Sequence, residues 1–197
     1  MDKIILASAS PRRRDILMQA GIPFTVCPAD VDENIAAESP FELVQALSAK
    51  KSLHVASQLT GRAVVIGADT VVAIHNQILG KPRDEEDAAR MLTMLQGQKH
   101  SVYTGVCVTV VEGGRLRDMR KFVDNTSVYM RRLGDEEIQA YIRTREPFDK
   151  AGAYAIQGKG MLLVEKIEGD YQTVVGLPVI RLYEALKSLN IQPLLDW

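Results

Sequence analysis

The sequence has almost no excess of charge of either sign. Lysine and arginine number 24 against 25 aspartates and glutamates, a net charge of −1, so nothing draws the whole chain to nucleic acid or an anionic membrane. Aromatic residues make up only 6%, which leaves little stacking surface for a nucleic-acid binder. Cysteine is scarce too: Cys27 and Cys107 stand alone, outside any metal-ligand spacing, and read as small core residues of a reducing compartment rather than as a disulfide. No run approaches the roughly 20 apolar residues of a membrane span. MDKIILASAS leads straight into a strand pattern without the long apolar stretch of a secretion signal, so a cytoplasmic protein is expected. Linkers, repeats and low-complexity tracts are lacking as well. Any site for an anion must therefore be local.

What is present is enough for one sizeable core. A chain of 197 residues forms a single domain or two lobes sharing one sheet, and a single domain spanning residues 1–197 is expected. Ile4–Leu6 reads as a buried strand and Pro11 as the first residue of a helix that Gly21 ends. Ser39, Pro40 and Glu42 form a capping-box pattern before a long helix. AVVIGADTVVAI, residues 63–74, is too apolar for a one-sided strand and belongs in mid-sheet. PRDEEDAARMLTMLQG places acids in the first turn of a helix closed by Gly97. SVYTGVCVTVV and the run from Leu116 to Met130 flank a glycine pair, which predicts two antiparallel strands joined at Gly113 and Gly114. GDEEIQAYIRT predicts a short helix, MLLVEKI and YQTVV predict strands, and LPVIRLYEALKSL a last helix. The class is α/β with a sheet of mixed direction.

Several polar groups interrupt these elements. Arg12, Arg13 and Arg14 fall in the first turn of their helix, where unpaired N–H groups already carry roughly half a positive charge; an anion such as phosphate would relieve this. Against this, consecutive helical residues fan out by about 100° and cannot all face one ligand. Asp69 lies within an apolar strand, so its carboxylate needs a cation, a metal or several donors, and Gly67 and Ala68 leave room for something to approach the backbone. Asp30, Asp32 and Glu33 follow a short strand, but alternation sends them to different sides. Lys50 and Lys51 lie on the capped helix, and Lys81 in a turn set by Gly80 and Pro82; GKP is too short for a P-loop. EPFDKAGAYAIQGKG, residues 146–160, is a glycine-rich loop containing Gln157. His54, His75 and His100 form no ligand pattern. Together the basic residues, the acids and the loop match the needs of a polyphosphate with its magnesium.

SASPRR, GADT, LGKP, DKAGAYAIQG and GDYQTVVGLP, in this order over nearly the whole chain, resemble the Maf family of nucleoside triphosphate pyrophosphatases. The resemblance implies an elongated, two-lobed α/β fold with a mixed sheet and a central cleft, similar to that of inosine triphosphate pyrophosphatases. It also implies hydrolysis of nucleoside triphosphates to monophosphate and pyrophosphate with a divalent metal (Mg, Mn or Co). Carried over motif by motif, Ser8, Arg12, Arg13 and Lys51 bind phosphate, Glu33 and Asp69 hold the metal, and Asp69, Glu33 and Lys81 are catalytic. The branch resembled acts on dTTP and UTP, with Arg12, Thr70 and Gln157 at the specificity-linked positions. One departure is Ala155, where the family more often has glycine. A homodimer is implied, with no nucleic acid or membrane as partner. The alternative function is a nucleotide-binding regulator of septum formation acting through a protein partner, which would need the phosphate grip but not both acids.

Overall fold

The computed structural model describes residues 2–193. In chain order the elements are β1 (Lys3–Leu6), α1 (Pro11–Gln19), β2 (Thr25–Val26), α2 (Pro40–Ala56), β3 (Ala63–Ile74), β4 (Gln77–Leu79) and α3 (Glu85–Leu95). They continue with β5 (Lys99–Glu112), β6 (Arg115–Met130), α4 (Asp135–Arg143), β7 (Val164–Glu168), α5 (Tyr171–Val175) and α6 (Val179–Ser188). Three short 3-10 turns, Glu146–Asp149, Ala151–Ala153 and Gly158–Leu162, lie between α4 and β7. The strands form a sheet in the order β2-β1-β3-β5-β6-β7, with β4 on β3. Parallel β1–β2 and β1–β3 pairs coexist with antiparallel β3–β4 and β6–β7 pairs, so the sheet is mixed as expected. The chain divides into two compact units. One takes the chain up to Asp69, Thr104–Asp124 and the chain from Gly176; the other takes Thr70–Tyr103 and Asn125–Val175.

In the first unit β1 lies between β2 and β3, with Ile5 opposite both Thr25 and Val65. Ile5, Ala7, Val55, Ala63, Val65 and Val111 pack into one core, with Cys27 at its edge. Ser39 caps α2, its hydroxyl accepting from the Glu42 N–H at 3.2 Å. The expected box is not reciprocal, because the Glu42 carboxylate reaches past Ser39 to the Glu38 N–H at 3.1 Å. Gly67 and Gly105 have no side chain to hold α2 off the sheet: a Cβ at either would lie 2.3 Å from a carbonyl oxygen of α2, Ser48 or Val44 respectively. Ser52 then donates to the Val65 carbonyl at 2.9 Å and meets Thr109 Oγ1 at 2.7 Å, fixing the helix on the sheet. The visitor for which Gly67 leaves room is thus the backbone of α2.

In the second unit β3 turns back into β4 through His75 and Asn76, both with positive φ (48° and 61°); these left-handed residues make a tight hairpin without glycine. Gly113 and Gly114, with φ of 58° and 72°, make the expected turn between β5 and β6 in the first unit. Leu92 and Leu95 of α3 and Ile142 of α4 pack with Val72, Val128 and Met130. Two expectations fail here. Only Val164–Glu168 of the MLLVEKI region is strand, since Met161 and Leu162 end a 3-10 turn. YQTVV is a helix, not a strand. Asp170 accepts from the Gln172 N–H at 3.2 Å and from Thr173 Oγ1 at 3.1 Å, and this local capping outweighs the β-propensity of the valines.

His100, 3% exposed, sets its Nε2 at 2.7 Å from the buried Tyr154 hydroxyl, and among the described residues its Nδ1 has no hydrogen-bond partner. Burial pushes the imidazole down to about 4 from 6.5, opposed only by the Gln98 backbone. The unfolded chain takes up this proton near pH 6.5 and the folded chain only near 4, so stability falls as pH falls through that window. The expected loss is on the order of 3 kcal/mol. Urea midpoints from pH 7 to 4 should slope less in His100→Leu than in the unaltered protein; equal slopes would refute the assignment.

Candidate active site

The first unit carries most of the charged candidates. Ser10 precedes α1 with extended backbone and no side-chain cap, Pro11 opens the helix, and the first turn holds no acid, so no acidic side chain of the helix itself offsets the positive end of its dipole. The arginines fan out as helical geometry requires: Arg12 is half-buried, Arg13 buried and Arg14 exposed. Arg13 Nε donates to the Gly176 carbonyl at 2.9 Å and Nη1 to Ser8 Oγ at 2.9 Å. Burial pushes the Arg13 guanidinium below its ordinary value, as does Arg12, whereas the charges of Asp69 and Glu33 push it back up. Ser8, Arg13, Asp69 and Glu33 therefore share one electrostatic neighbourhood.

Lys51 is the centre of this group. Its ammonium lies 2.6 Å from Asp69 Oδ1 and 2.7 Å from Glu33 Oε1, so carboxylates distant in sequence converge on one point. The seating of α2 on Gly67 makes this reach possible, because Gly67 and Asp69 face the same side of β3. Lys51 and Asp69 side chains are about a tenth exposed and Glu33 57%; the cluster is closed at Asp69 and open at Glu33. Lys50 anchors the acidic loop by donating to the Asp32 carbonyl at 2.6 Å. The Asp32 carboxylate is taken up locally by the Asn34 N–H at 2.9 Å, which leaves Glu33 as the acid turned to Lys51.

No group of three or more metal-ligating side chains occurs among the described residues. Glu33 and Asp69 nevertheless fit a hard cation that takes one or two protein carboxylates and completes its shell with water and substrate phosphates, the usual habit of magnesium.

The second unit holds Thr70, Lys81 and Gln157. Thr70 is half-buried and, by strand alternation, turned to the opposite face of β3 from Asp69. That is the face of Val72, against which Gly152 packs so closely that a Cβ would sit 3.0 Å from a Val72 methyl. Gly152 N–H donates to the Gly80 carbonyl at 3.0 Å, tying the turn of Lys81 to the loop of Gln157. Lys81 is exposed and Gln157 half-buried. Ala155 is buried with ordinary backbone, so its methyl needs no left-handed conformation. Glu146 and Tyr141, which hold this loop, were not singled out in the sequence, although Glu146 opens the glycine-rich stretch; only the folded loop brings its carboxylate beneath residues 159 and 160.

The model of the family described as Maf-like protein matches residues 3–189. The chain belongs to the Maf family. Among its relatives, a protein of Agathobacter rectalis named dTTP/UTP pyrophosphatase is 48% identical, with 97% of this chain and 99% of that one covered. A protein of the same name from Carboxydothermus hydrogenoformans is 51% identical over 94% of this chain and 98% of its own. The Staphylococcus aureus Ham1 protein has a related fold, with a TM-score of 0.51 at 14% identity over 96% of this chain and 100% of that one. The mixed α/β fold expected of a Maf protein is thus met. No helix among the described residues is long and apolar enough to cross a membrane.

Proposed function

We propose that this Maf protein hydrolyses nucleoside triphosphates, dTTP and UTP foremost, to the monophosphate and pyrophosphate. The observation that carries the proposal is the convergence of buried Asp69 and half-open Glu33 on Lys51, in the unit that also anchors Arg13 against Ser8. The names of the relatives support the same reaction and substrates. A regulator that only bound nucleotide would need the basic groups but not both acids.

Water attacks the α-phosphorus in line and the bond to the β-phosphate oxygen breaks, releasing pyrophosphate. Asp69 accepts the proton of the attacking water. Ser8, Arg12, Arg13 and Lys51 hold the phosphates, and Lys81 offsets charge developing on the leaving pyrophosphate. Glu33 and Asp69 would hold a divalent cation (Mg, Mn or Co), which when bound lowers the pKa of the attacking water and neutralises phosphate charge. Thr70 and Gln157 read the pyrimidine edge with a hydroxyl and an amide. On this proposal residues 1–197 act as one catalytic domain, as a cytoplasmic homodimer without nucleic acid, consistent with the near-neutral charge.

Purified protein incubated with magnesium and a panel of nucleoside triphosphates should release pyrophosphate and monophosphate fastest from dTTP and UTP. Diphosphate with inorganic phosphate would overturn the site of attack. Tight binding without turnover under magnesium, manganese and cobalt alike would overturn the enzyme.

A further inference from the structure

Gln157 lies at the middle of a loop that is tied together on both sides at one place. Ahead of it, the Ala155 N–H donates to the Tyr141 hydroxyl at 3.2 Å. Beyond it, the Lys159 N–H donates to Glu146 Oε2 at 3.1 Å and the Gly160 N–H to Glu146 Oε1 at 3.0 Å. Tyr141 in turn donates to Glu146 Oε1 at 3.0 Å. Both sides of the loop therefore end on the same phenol and carboxylate pair. The glycines fit this closure: a Cβ at Gly158 would meet Glu146 Oε2 at 2.9 Å, and one at Gly160 the Ala155 carbonyl oxygen at 2.2 Å. Glu146 is itself fixed, its N–H donating to Thr144 Oγ1 at 3.2 Å and its carbonyl accepting from Lys150 Nζ at 3.0 Å.

A half-buried carboxylate that accepts two backbone N–H bonds and a phenol makes stronger bonds than a neutral acceptor would. Freezing the backbone of a loop costs conformational entropy, so a loop closed before the nucleotide arrives spares binding that cost. We infer that Glu146, with Tyr141 beside it, is a positioning residue for base discrimination: it closes residues 155–160 so that Gln157 is presented to the nucleobase in one conformation. This rests on the reading of Gln157 as a base-contacting residue. Glu146 acts through the loop and touches neither phosphate nor the reacting atoms.

The test compares kcat and KM for dTTP and dGTP in Glu146→Ala, Glu146→Gln, Tyr141→Phe, Gln157→Ala and the Glu146→Ala/Gln157→Ala pair. Loss of one ordered hydrogen bond to the base corresponds to about a tenfold effect. Glu146→Ala and Gln157→Ala should each lower the dTTP to dGTP preference by about that factor, through KM for dTTP and with kcat little changed. Glu146→Gln, which keeps one acceptor oxygen, should fall between, and the double variant should be no worse than Gln157→Ala alone. If Glu146→Ala does not fold, Tyr141→Phe, which removes only the hydroxyl, should shift the preference in the same direction. An unchanged preference in the Glu146 and Tyr141 variants, beside a lost one in Gln157→Ala, would overturn the positioning role alone. An unchanged preference in Gln157→Ala would overturn the base-reading role, and this inference with it.

Discussion

Asp69→Asn should reduce pyrophosphate release from dTTP by about 10²- to 10⁴-fold, the usual contribution of a positioned proton acceptor, while the protein still folds. The reason lies in what the substitution keeps. Asparagine retains an oxygen where Asp69 Oδ1 meets Lys51 at 2.6 Å, so the hydrogen bond survives and only the charge and basicity go. Asp69→Ala is a harsher change, because Lys51 is left with Glu33 alone. Breaking a buried ion pair by removing one partner costs about 3–5 kcal/mol, and the open position of Glu33 should bring the loss below that range. Single-turnover rates together with thermal midpoints separate the two effects: Asn should lose rate and only a part of the midpoint, because its hydrogen bond to Lys51 remains, whereas Ala should lose rate and more of the midpoint. A fully active Asp69→Asn protein would remove Asp69 from the chemistry.

Gly67→Ala should do its damage through packing. The new methyl would lie 2.3 Å from the Ser48 carbonyl oxygen and 2.6 Å from the Ser52 nitrogen, backbone atoms that cannot rotate aside. Overpacking of this kind costs about 1–3 kcal/mol or more, and relief requires α2 to lift from β3. Because α2 carries Lys51, activity should fall further than the folded fraction does. Gly61→Ala is the matched control, with nothing within 4 Å of the new carbon, and should stay within about 0.5 kcal/mol of the unaltered protein. Urea midpoints of the two variants give the comparison; equal midpoints would show that the helix does not rest on the glycine.

The elements legible in the sequence are those whose ends are marked chemically. Pro11 and Ser39 with Pro40 start helices where they should, Asp84 stands one residue ahead of its helix as the cap, and β3 runs from Ala63 to Ile74 as its mostly apolar, β-branched pattern predicts, straight through Asp69. YQTVV misleads because its valines report only a propensity, whereas Asp170 supplies actual hydrogen bonds to the first turn. At the site, the residue types were legible but their meeting was not. Asp69 clearly needed a partner; that the partner is Lys51, delivered by a helix seated on Gly67, depends on a close approach that no local pattern encodes. The clamp by Glu146 was hidden for the same reason, since its bonds run to backbone N–H groups that every residue but proline possesses.

Lys50 and Lys51 hold the same acidic loop by different means. Lys51 takes the Glu33 side chain, but Lys50 takes the carbonyl of Asp32, an atom that every amino acid carries. The tether is therefore indifferent to the side chain at position 32, where any residue able to make the turn to Asn34 serves as well. A change at position 32 therefore reaches the loop only through the turn its carboxylate makes with Asn34, whereas shortening or neutralising Glu33 takes a carboxylate away from Lys51 itself.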